Sequence, residues 1–235
     1  AWIGPITFKT MCLPTTLPFE QDFQSASIPN LPDCSITERI GQGSNWVTTW
    51  GDSAYGFEGT VLQYSANAAE ANAWYFTQGV ELTGGIEYTI SYLYGNNSSD
   101  NFVESLQVLY GTEPVSTSMT AEIADHPTIN TGTATVNETT FTPATTGAYY
   151  FGFLAYSAAA QGNLFLDNIS ISVPLGTPAN DWTTLTYYPN PVKEVVTITD
   201  VQNITSVTIF NLLGQKVHQV EINATTASIN MSHLP

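Results

Sequence analysis

Basic side chains are almost absent from this chain of 235 residues. It has 4 Lys and Arg against 20 Asp and Glu, a formal net charge of −16, and no basic residue between Arg39 and Lys193. Nucleic-acid binding requires clustered basic residues that replace phosphate counterions, and attraction to anionic membrane surfaces requires them too. Both classes of partner are therefore excluded, whereas a cation is the partner that such a surface favours.

Long apolar runs and a leader segment are also missing. No apolar run approaches the roughly 20 residues of a membrane-spanning helix, so we expect no direct membrane insertion. The sequence opens on Ala1-Trp2-Ile3 without a signal peptide, which we interpret as a processed chain or a fragment. Scarce Lys with abundant Thr, Ser, Asn and Gly is typical of an extracytoplasmic protein.

Signatures of catalysis are lacking as well. The histidines are His126, His218 and His233, and neither a Gly-x-Ser-x-Gly elbow nor a His-Glu-x-x-His helix occurs. A carboxylate pair for glycoside hydrolysis can be picked from any 20 acidic residues, so its presence decides nothing. The sequence predicts a non-catalytic protein, and leaves open an enzymatic domain upstream in a longer parent.

Only two cysteines are present. Cys12 and Cys34 lie in Pro-rich, loop-like sequence. A disulfide between them would close a short loop and contribute about 3 kcal/mol in the chain-entropy model. The alternative is two unpaired small hydrophobic residues in separate strands. We predict the disulfide.

What is present is the composition of a β protein. Residues 17–173 contain many short runs of β-branched and aromatic residues separated by Gly, Asn, Pro and Ser. Residues 118–127 alone predict a helical turn. Alternation puts Ile86, Tyr88, Ile90 and Tyr92 on one strand face. The fold class is therefore all-β, with a two-sheet sandwich of jelly-roll type as the main body.

A smaller β unit follows a linker at residues 175–183. The linker has proline and glycine but no apolar periodicity. Residues 184–235 then contain a few alternating apolar segments, too few for a comfortable independent core. We predict a small, incomplete immunoglobulin-like β-sandwich.

This tail carries three motifs in order: Tyr-Pro-Asn-Pro at 188–191, Asn-Leu-Leu-Gly-Gln-Lys-Val at 211–217 and Ile-Asn-Met-Ser-His-Leu-Pro at 229–235. Residues 184–235 resemble the type A C-terminal sorting domain of the type IX secretion system, truncated before its usual Ala-Gly-x-Tyr segment. The resemblance implies a secreted, cell-surface protein whose partners are the outer-membrane translocon and its shuttle barrel. The matching sorting-signal residues are Tyr188, Pro189, Asn190, Pro191, Asn211, Leu213, Gly214 and Lys216.

The main body carries a second resemblance, in its segments 17–23, 72–96 and 165–173. Residues 14–174 resemble cleaved-adhesin or MAM-like jelly rolls of the choice-of-anchor type, and residues 1–13 resemble the last strand of a fibronectin type III domain. The resemblance implies a non-catalytic adhesin-like module that binds a glycan or a surface protein. The alternative is an ancillary or spacer domain, without a ligand, of a larger secreted protease or glycoside hydrolase.

In such jelly rolls a structural calcium often bridges acidic groups of the first and last strands. Glu20 and Asp22 share one face of the first strand, and Asp167 belongs to the last. Asp52 and Asn168 are the further ligands that we predict, since hard oxygen donors suit calcium. The alternative is a set of solvated acidic residues.

Aromatic residues around the loop at 51–56 suggest a ligand surface. Trp50 and Tyr55 flank it and are candidates for stacking on a sugar, whereas Trp74 and Phe76 are expected in the core. Asp52-Ser53-Ala54 also resembles a short bacterial O-glycosylation acceptor, which makes Ser53 a candidate glycosylation site.

Overall fold

The computed structural model describes residues 12–98, 101–174 and 184–232. Contacts divide the chain into two compact units, 1–174 and 175–235. Within the described ranges no helix is long and apolar enough to cross a membrane. The strands are β1 (Phe19–Gln21), β2 (Ile36–Arg39), β3 (Trp46–Trp50), β4 (Thr60–Tyr64), β5 (Ala73–Phe76), β6 (Val80–Leu82), β7 (Tyr88–Asn96), β8 (Glu104–Gly111), β9 (Ala121–Ile129), β10 (Thr135–Phe141), β11 (Gly147–Ala155), β12 (Leu164–Ser172), β13 (Thr186–Tyr188), β14 (Val195–Phe210) and β15 (Lys216–Asn230).

The first unit is a sandwich of two six-stranded antiparallel sheets. One sheet has the order β10-β7-β12-β4-β3 with β1 added beside β12, and the other has the order β2-β5-β11-β8-β9 with β6 beside β11. Side chains of both sheets fill one hydrophobic core between the layers. The predicted all-β jelly roll is confirmed.

Aromatic side chains form much of that core. The indole Nε1 of Trp46 donates a hydrogen bond of 3.0 Å to the Ala73 carbonyl, which joins the two sheets. The Tyr92 ring meets Phe153 edge to face at 5.4 Å. Such pairs add specific geometry to the burial of large apolar surfaces, so the two sheets pack in a defined orientation.

The alternation predicted along β7 holds for three of its four residues. Tyr88, Ile90 and Tyr92 point into the core. Ile86 is 44% exposed, because it precedes the first paired residue of β7, and pairing with β10 begins at Tyr88. The predicted inner face is therefore shorter by one residue.

The helical turn predicted at 118–127 is wrong. A 3₁₀ helix spans Ser116–Ser118, and β9 then runs along the edge of β8 from Ala121. The backbone groups of β8 on that side need partners, and pairing with a neighbouring strand outweighs a weak local preference.

The predicted disulfide is confirmed. Cys12 and Cys34 are bonded, with Cα atoms 5.5 Å apart, within the usual range for this link. It ties the segment before β1 to the loop before β2. The fibronectin-like strand predicted at 1–13 lies, for residues 1–11, outside the described residues, as does the predicted linker.

The second unit is a single antiparallel sheet in the order β13-β14-β15. β14 and β15 pair along a hairpin, with register irregularities around Ile204. Where a small two-layer sandwich was expected, the described residues of this unit contribute one layer. Its apolar face is consequently thinly covered, and among the described residues of this unit only Ala227 and Ile229 are buried hydrophobic residues.

Candidate functional site

An acidic cleft of about 320 Å³ lies on the outer face of the first sheet. The cleft forms where β1 pairs with β12, placing Glu20 opposite Ser170. The first and last strands of the jelly roll are therefore neighbours, as the resemblance implied. The polar and charged side chains that line the cleft are Asp22, Gln24, Glu58, Asp167 and Asn168.

Asp167 is the most deeply placed acid of this cleft. It is 2% exposed, and its carboxylate accepts the backbone N–H of Asn168 at 2.8 Å. Burial raises the pKa of Asp167 to about 7; the charge of Asp22 adds to that rise, while the Asn168 N–H opposes it. Two acids that face each other in a partly buried cleft are destabilised unless a cation or protons compensate them.

A β-bulge places Asp167 and Asn168. The register of β12 against β7 shifts between Asp167 and Ser170, and Asn168 adopts a left-handed φ of 49°. Asn tolerates this conformation better than most residues. A bulge changes the direction in which neighbouring side chains point, and here it brings two candidate ligands to one cleft.

Gln24 holds the other wall of the cleft. Its side-chain amide accepts the Thr60 N–H at 3.0 Å and donates to the Thr60 carbonyl at 3.0 Å, as a neighbouring strand would. A Cβ at Gly59 would lie 2.3 Å from the Gln24 amide oxygen, so the close approach requires glycine. This contact fixes the segment that carries Glu58.

The predicted calcium ligands are only partly brought together. Glu20, Asp22 and Asn168 line a second cleft that adjoins the acidic one, and Asp167 lines the first. Asp52 lines neither cleft. Its carboxylate accepts the Ala54 N–H at 2.9 Å and caps the 3₁₀ helix Ser53–Tyr55, and Asp22 makes the same kind of contact with the Gln24 N–H at 3.0 Å.

Two residues of the acidic cleft were missed by sequence reasoning. Glu58 and Gln24 belong to no motif that would have indicated them. Among the described residues, no group of three or more His, Cys, Asp or Glu side chains is arranged to hold a metal ion. Calcium binding thus stays a prediction.

The loop from Gly51 to Gly59 presents the predicted aromatic surface. Trp50 ends β3 with its side chain 73% exposed. The loop is closed at its base by a hydrogen bond of 2.7 Å from the Gly51 N–H to the Gly59 carbonyl. Tyr55 differs from Trp50, because it is half-buried against a small cluster built on Phe57 and Phe165. Ser53, the candidate glycosylation site, is exposed between them.

Trp74 and Phe76 are buried, but not in the main core. Their rings stack at 5.7 Å with an interplanar angle of 8°, in a separate cluster with Met119. Glu38 anchors the nearby 3₁₀ helix, accepting hydrogen bonds from the Ser116 N–H and hydroxyl. These two aromatic residues are therefore unavailable to a ligand.

A buried acid was not anticipated from the sequence. Glu104 is 0% exposed, and within the described part of the chain neither carboxylate oxygen has a hydrogen-bond partner. Burial raises the pKa of Glu104; the Ser157 hydroxyl and the Gly162 N–H lie near enough to oppose that rise in part, without forming a hydrogen bond of good geometry. A lone Glu in a strand carries no sequence signal for such an environment.

The side chain of His126 contacts two tyrosines. Its Nε2 shares a hydrogen bond of 2.8 Å with the Tyr92 hydroxyl, and its ring stacks on Tyr94 at 4.1 Å. Burial lowers the pKa of His126, and the charge of Asp125 acts in the opposite direction. These contacts are those of a packed histidine and indicate no nucleophile beside it.

In the second unit, the turn between β14 and β15 is held by one side chain. The Asn211 carboxamide oxygen accepts the N–H groups of Leu213 and Gln215, each at 3.0 Å. Gly214 has the left-handed φ of 77° that the turn requires. Leu212 is fully exposed and Leu213 is 83% exposed. The hydrogen bonds of Asn211 fix the conformation of the turn, and two leucine side chains on it are exposed to solvent.

Comparison with known families identifies this unit. The family described as "Secretion system C-terminal sorting domain" matches residues 186–235, which include the Pro-Asn-Pro segment and the Asn211 turn. No curated protein sequence matches the chain at a significant level.

Comparison with solved structures concerns the first unit. The K1 cleaved adhesin domain of Lys-gingipain from Porphyromonas gingivalis W83 superposes with a TM-score of 0.55 at 14% identity, covering 66% of this chain and 98% of that domain. The K3 cleaved adhesin domain of the same protein gives 0.48 at 15% identity with the same coverages. At such identities the likeness concerns the fold alone.

These findings agree with the two resemblances carried by the sequence. Residues 186–235 are a C-terminal sorting domain of the type IX secretion system, and the chain is a secreted cell-surface protein whose first unit has the jelly-roll fold of the cleaved adhesin domains.

Proposed function

We propose that the jelly roll is a non-catalytic binding module, carried to the cell surface by the sorting domain, and that Trp50 binds a glycan there. The observation that carries the proposal is the exposure of the Trp50 indole, 73%, at the end of a paired strand. The indole offers a large amphipathic ring at the surface, and such rings cover the apolar faces of sugars well.

The surroundings of Trp50 support this assignment. The loop that follows it is closed by the Gly51–Gly59 hydrogen bond and capped by Asp52, so the indole stands beside a rigid segment. Tyr55, anchored by its ring, forms the rim of the same surface in our proposal. A preformed surface loses little conformational entropy on binding.

The test is binding of the whole chain to immobilised neutral and anionic polysaccharides. We expect Trp50→Ala to weaken binding at least tenfold. Tyr187→Ala, which removes an exposed aromatic residue of the sorting domain, is the matched control and should leave binding unchanged. Equal binding by Trp50→Ala would overturn the role of Trp50. A wild-type chain that binds nothing would favour the alternative, a spacer domain of a larger enzyme.

We also propose a structural calcium in the acidic cleft. The fit rests on chemistry, since Asp22, Glu58 and Asp167 offer carboxylate oxygens and Asn168 offers an amide oxygen, all preferred by calcium. The amide oxygen of Gln24 is held by the Thr60 N–H. Glu20 contributes to the adjoining cleft. When bound, the ion would neutralise these acids and tie β1 to β12. Asp52 is left out of this set because it lines neither cleft.

For the sorting domain we propose that its rigid features are what the outer-membrane translocon and shuttle barrel recognise. These are the Tyr188–Pro191 segment and the turn that displays Leu212 and Leu213. For Ser53 we propose O-glycosylation, supported by its exposure on the 3₁₀ helix. A mass shift lost in Ser53→Ala, on protein recovered from an exporting bacterium, would test it.

A further inference from the structure

A third cleft, of about 380 Å³, lies at the end of the jelly roll, where the chain passes from β8 to β9. It is separate in sequence and in lining from both Trp50 and the acidic cleft. Its hydroxyl-bearing lining residues are Tyr110, Thr112, Thr117, Ser118, Thr120 and Tyr149. Small residues complete the lining.

The lining contains no charged side chain. This distinguishes the cleft from its surroundings, because the chain has 20 acidic residues and most of them lie in this unit. An anionic ligand would meet the negative field of the whole unit. A cationic ligand would find no carboxylate in the cleft itself. The chemistry favours an uncharged ligand.

Two tyrosines form a fixed wall. The rings of Tyr110 and Tyr149 contact each other at 5.7 Å and 60°. The Tyr149 hydroxyl donates to the Thr145 carbonyl at 2.8 Å, and that of Tyr110 donates to the Thr142 carbonyl at 3.3 Å. The Tyr149 hydroxyl also shares a hydrogen bond of 3.0 Å with the Thr145 hydroxyl, and its side chain is buried, so Tyr149 supports the wall from the core. Tyr110 is half-buried, and its oxygen keeps acceptor capacity for a ligand.

The opposite wall is also held in place. Glu38 accepts hydrogen bonds of 2.7 and 3.0 Å from the N–H and hydroxyl of Ser116. Gly111 packs so tightly that a Cβ there would lie 2.0 Å from the Ser118 carbonyl oxygen. These contacts therefore hold the rim of the cleft in place.

The rim hydroxyls are free of protein partners. Within the described ranges, the hydroxyls of Thr112, Thr117 and Thr120 take part in no hydrogen bond to the protein, although all three side chains are exposed around one cleft. Each can both donate and accept. Such a set matches the hydroxyls of a polyol.

We propose that the Tyr110–Tyr149 cleft is a second carbohydrate site, specific for a neutral sugar unit. Its volume lies within the usual range for small-ligand sites, and it combines aromatic edges with unpaired hydroxyls and no charge. A sugar ring carries the same combination of apolar C–H groups and hydroxyls. This inference rests on the proposed function, namely that the jelly roll binds glycans, and adds a site to it.

The experiment compares three variants of the whole chain with the wild type. The probes are a soluble β-1,3-glucan, a β-1,4-xylan, a β-1,4-galactan and a mannan, with heparin as the anionic comparison. The double variant T117V/T120V removes two free hydroxyls from exposed positions without changing side-chain size. Its matched control, T128V/T140V, does the same at exposed positions of β9 and β10 away from the cleft. Trp50→Ala reports on the first site independently.

We expect T117V/T120V to bind a neutral probe at least fivefold more weakly, with T128V/T140V unchanged and heparin bound by none. Undiminished binding of every neutral probe by T117V/T120V would overturn this inference while leaving the proposed function standing. Binding that depends on the cleft hydroxyls but is unaffected by Trp50→Ala would support the cleft and overturn the role of Trp50. Failure of the wild type to bind any neutral probe would overturn both.

Discussion

Both units of this protein are built from antiparallel strands, but the first unit buries the apolar faces of its strands and the second leaves much of them exposed. In the first unit, two sheets enclose a core of large aromatic side chains, and the surface is strongly acidic. In the second, one sheet has a thinly covered apolar face, and Leu212 and Leu213 project into solvent. Its described residues contain two lysines, Lys193 and Lys216, and only three acids, Glu194, Asp200 and Glu221.

The difference shows that alternation alone does not make a core. β14 and β15 alternate as clearly as β7 does, but a second layer is what removes a strand face from water. The jelly roll is stabilised mainly by the packing of side chains between its two sheets. The sorting domain relies on cross-strand pairs along its hairpin and leaves the side chains of Leu212 and Leu213 exposed.

The sharpest test of this contrast is truncation of one apolar side chain in each unit. Trp46→Ala should destabilise the first unit by about 3–5 kcal/mol, because the indole is buried and its Nε1–H bonds the Ala73 carbonyl. Leu213→Ala should change the stability of the second unit by less than about 0.5 kcal/mol, because the side chain is exposed. Urea unfolding followed by tryptophan fluorescence and circular dichroism measures both. Comparable losses would contradict the contrast.

Calcium should affect the first unit alone. At a free calcium concentration of about 100 Kd, a single site in the acidic cleft would stabilise it by about 2.7 kcal/mol. Asp167→Asn should lose most of that gain, whereas Asp52→Asn should retain it, since Asp52 caps the 3₁₀ helix outside the cleft. Unfolding in calcium and in chelator measures the gain. An equal calcium effect in both variants would exclude Asp167 as a ligand.

Export should depend on the second unit alone. Replacing both Leu212 and Leu213 with Ser should reduce the amount of protein on the surface of an exporting bacterium about tenfold, equivalent to about 1.4 kcal/mol of recognition. Both side chains are exposed, so the fold of the unit should survive. Val201→Ser, at another exposed apolar position of β14, is the control. Normal export of the double variant would rule out the turn as a recognition surface.

The smallest change in the free energy of unfolding is expected for a substitution at Glu104, and this change should vary with pH. Burial raises its pKa in the folded state, so the folded protein binds the proton more tightly than the unfolded chain. The stabilising contribution of that proton is complete below the unfolded pKa of about 4.3 and is lost as pH rises through the folded pKa. Glu104→Gln should therefore match the wild type most closely near pH 4 and exceed its stability by about 1 kcal/mol at pH 8, where a buried charge lacks partners.

Glu81→Gln is the control for that series, because Glu81 is an exposed acid on β6. This variant removes a carboxylate from the surface and thus reports the effect of a Glu-to-Gln change where no buried charge is involved. A difference for Glu104→Gln that does not grow between pH 4 and pH 8 would mean that Glu104 is solvated or paired in solution.

The candidate site was predictable only in part. The neighbourhood of Glu20, Asp22 and Asp167 followed from the expectation that the first and last strands of a jelly roll pair. Glu58 and Gln24 could not be found that way, because they meet the other residues through a side-chain amide contact with Thr60 and a glycine at 59. Asp52, chosen for its place in a loop, was already engaged by its own backbone, a local contact that sequence reasoning overlooked.

By itself the sequence determined the strand-rich class, the Cys12–Cys34 pair and the sorting tail. These depend on composition and on short motifs, whose chemistry is local. Tertiary structure alone decided that 121–129 is a strand, that the described residues of the tail form one layer, and that Glu104 is buried without a hydrogen-bond partner among the described residues. It also decided that Tyr110 and Tyr149 share an uncharged cleft. Those outcomes depend on which distant segments pair and in what register, and no local preference encodes such long-range contacts.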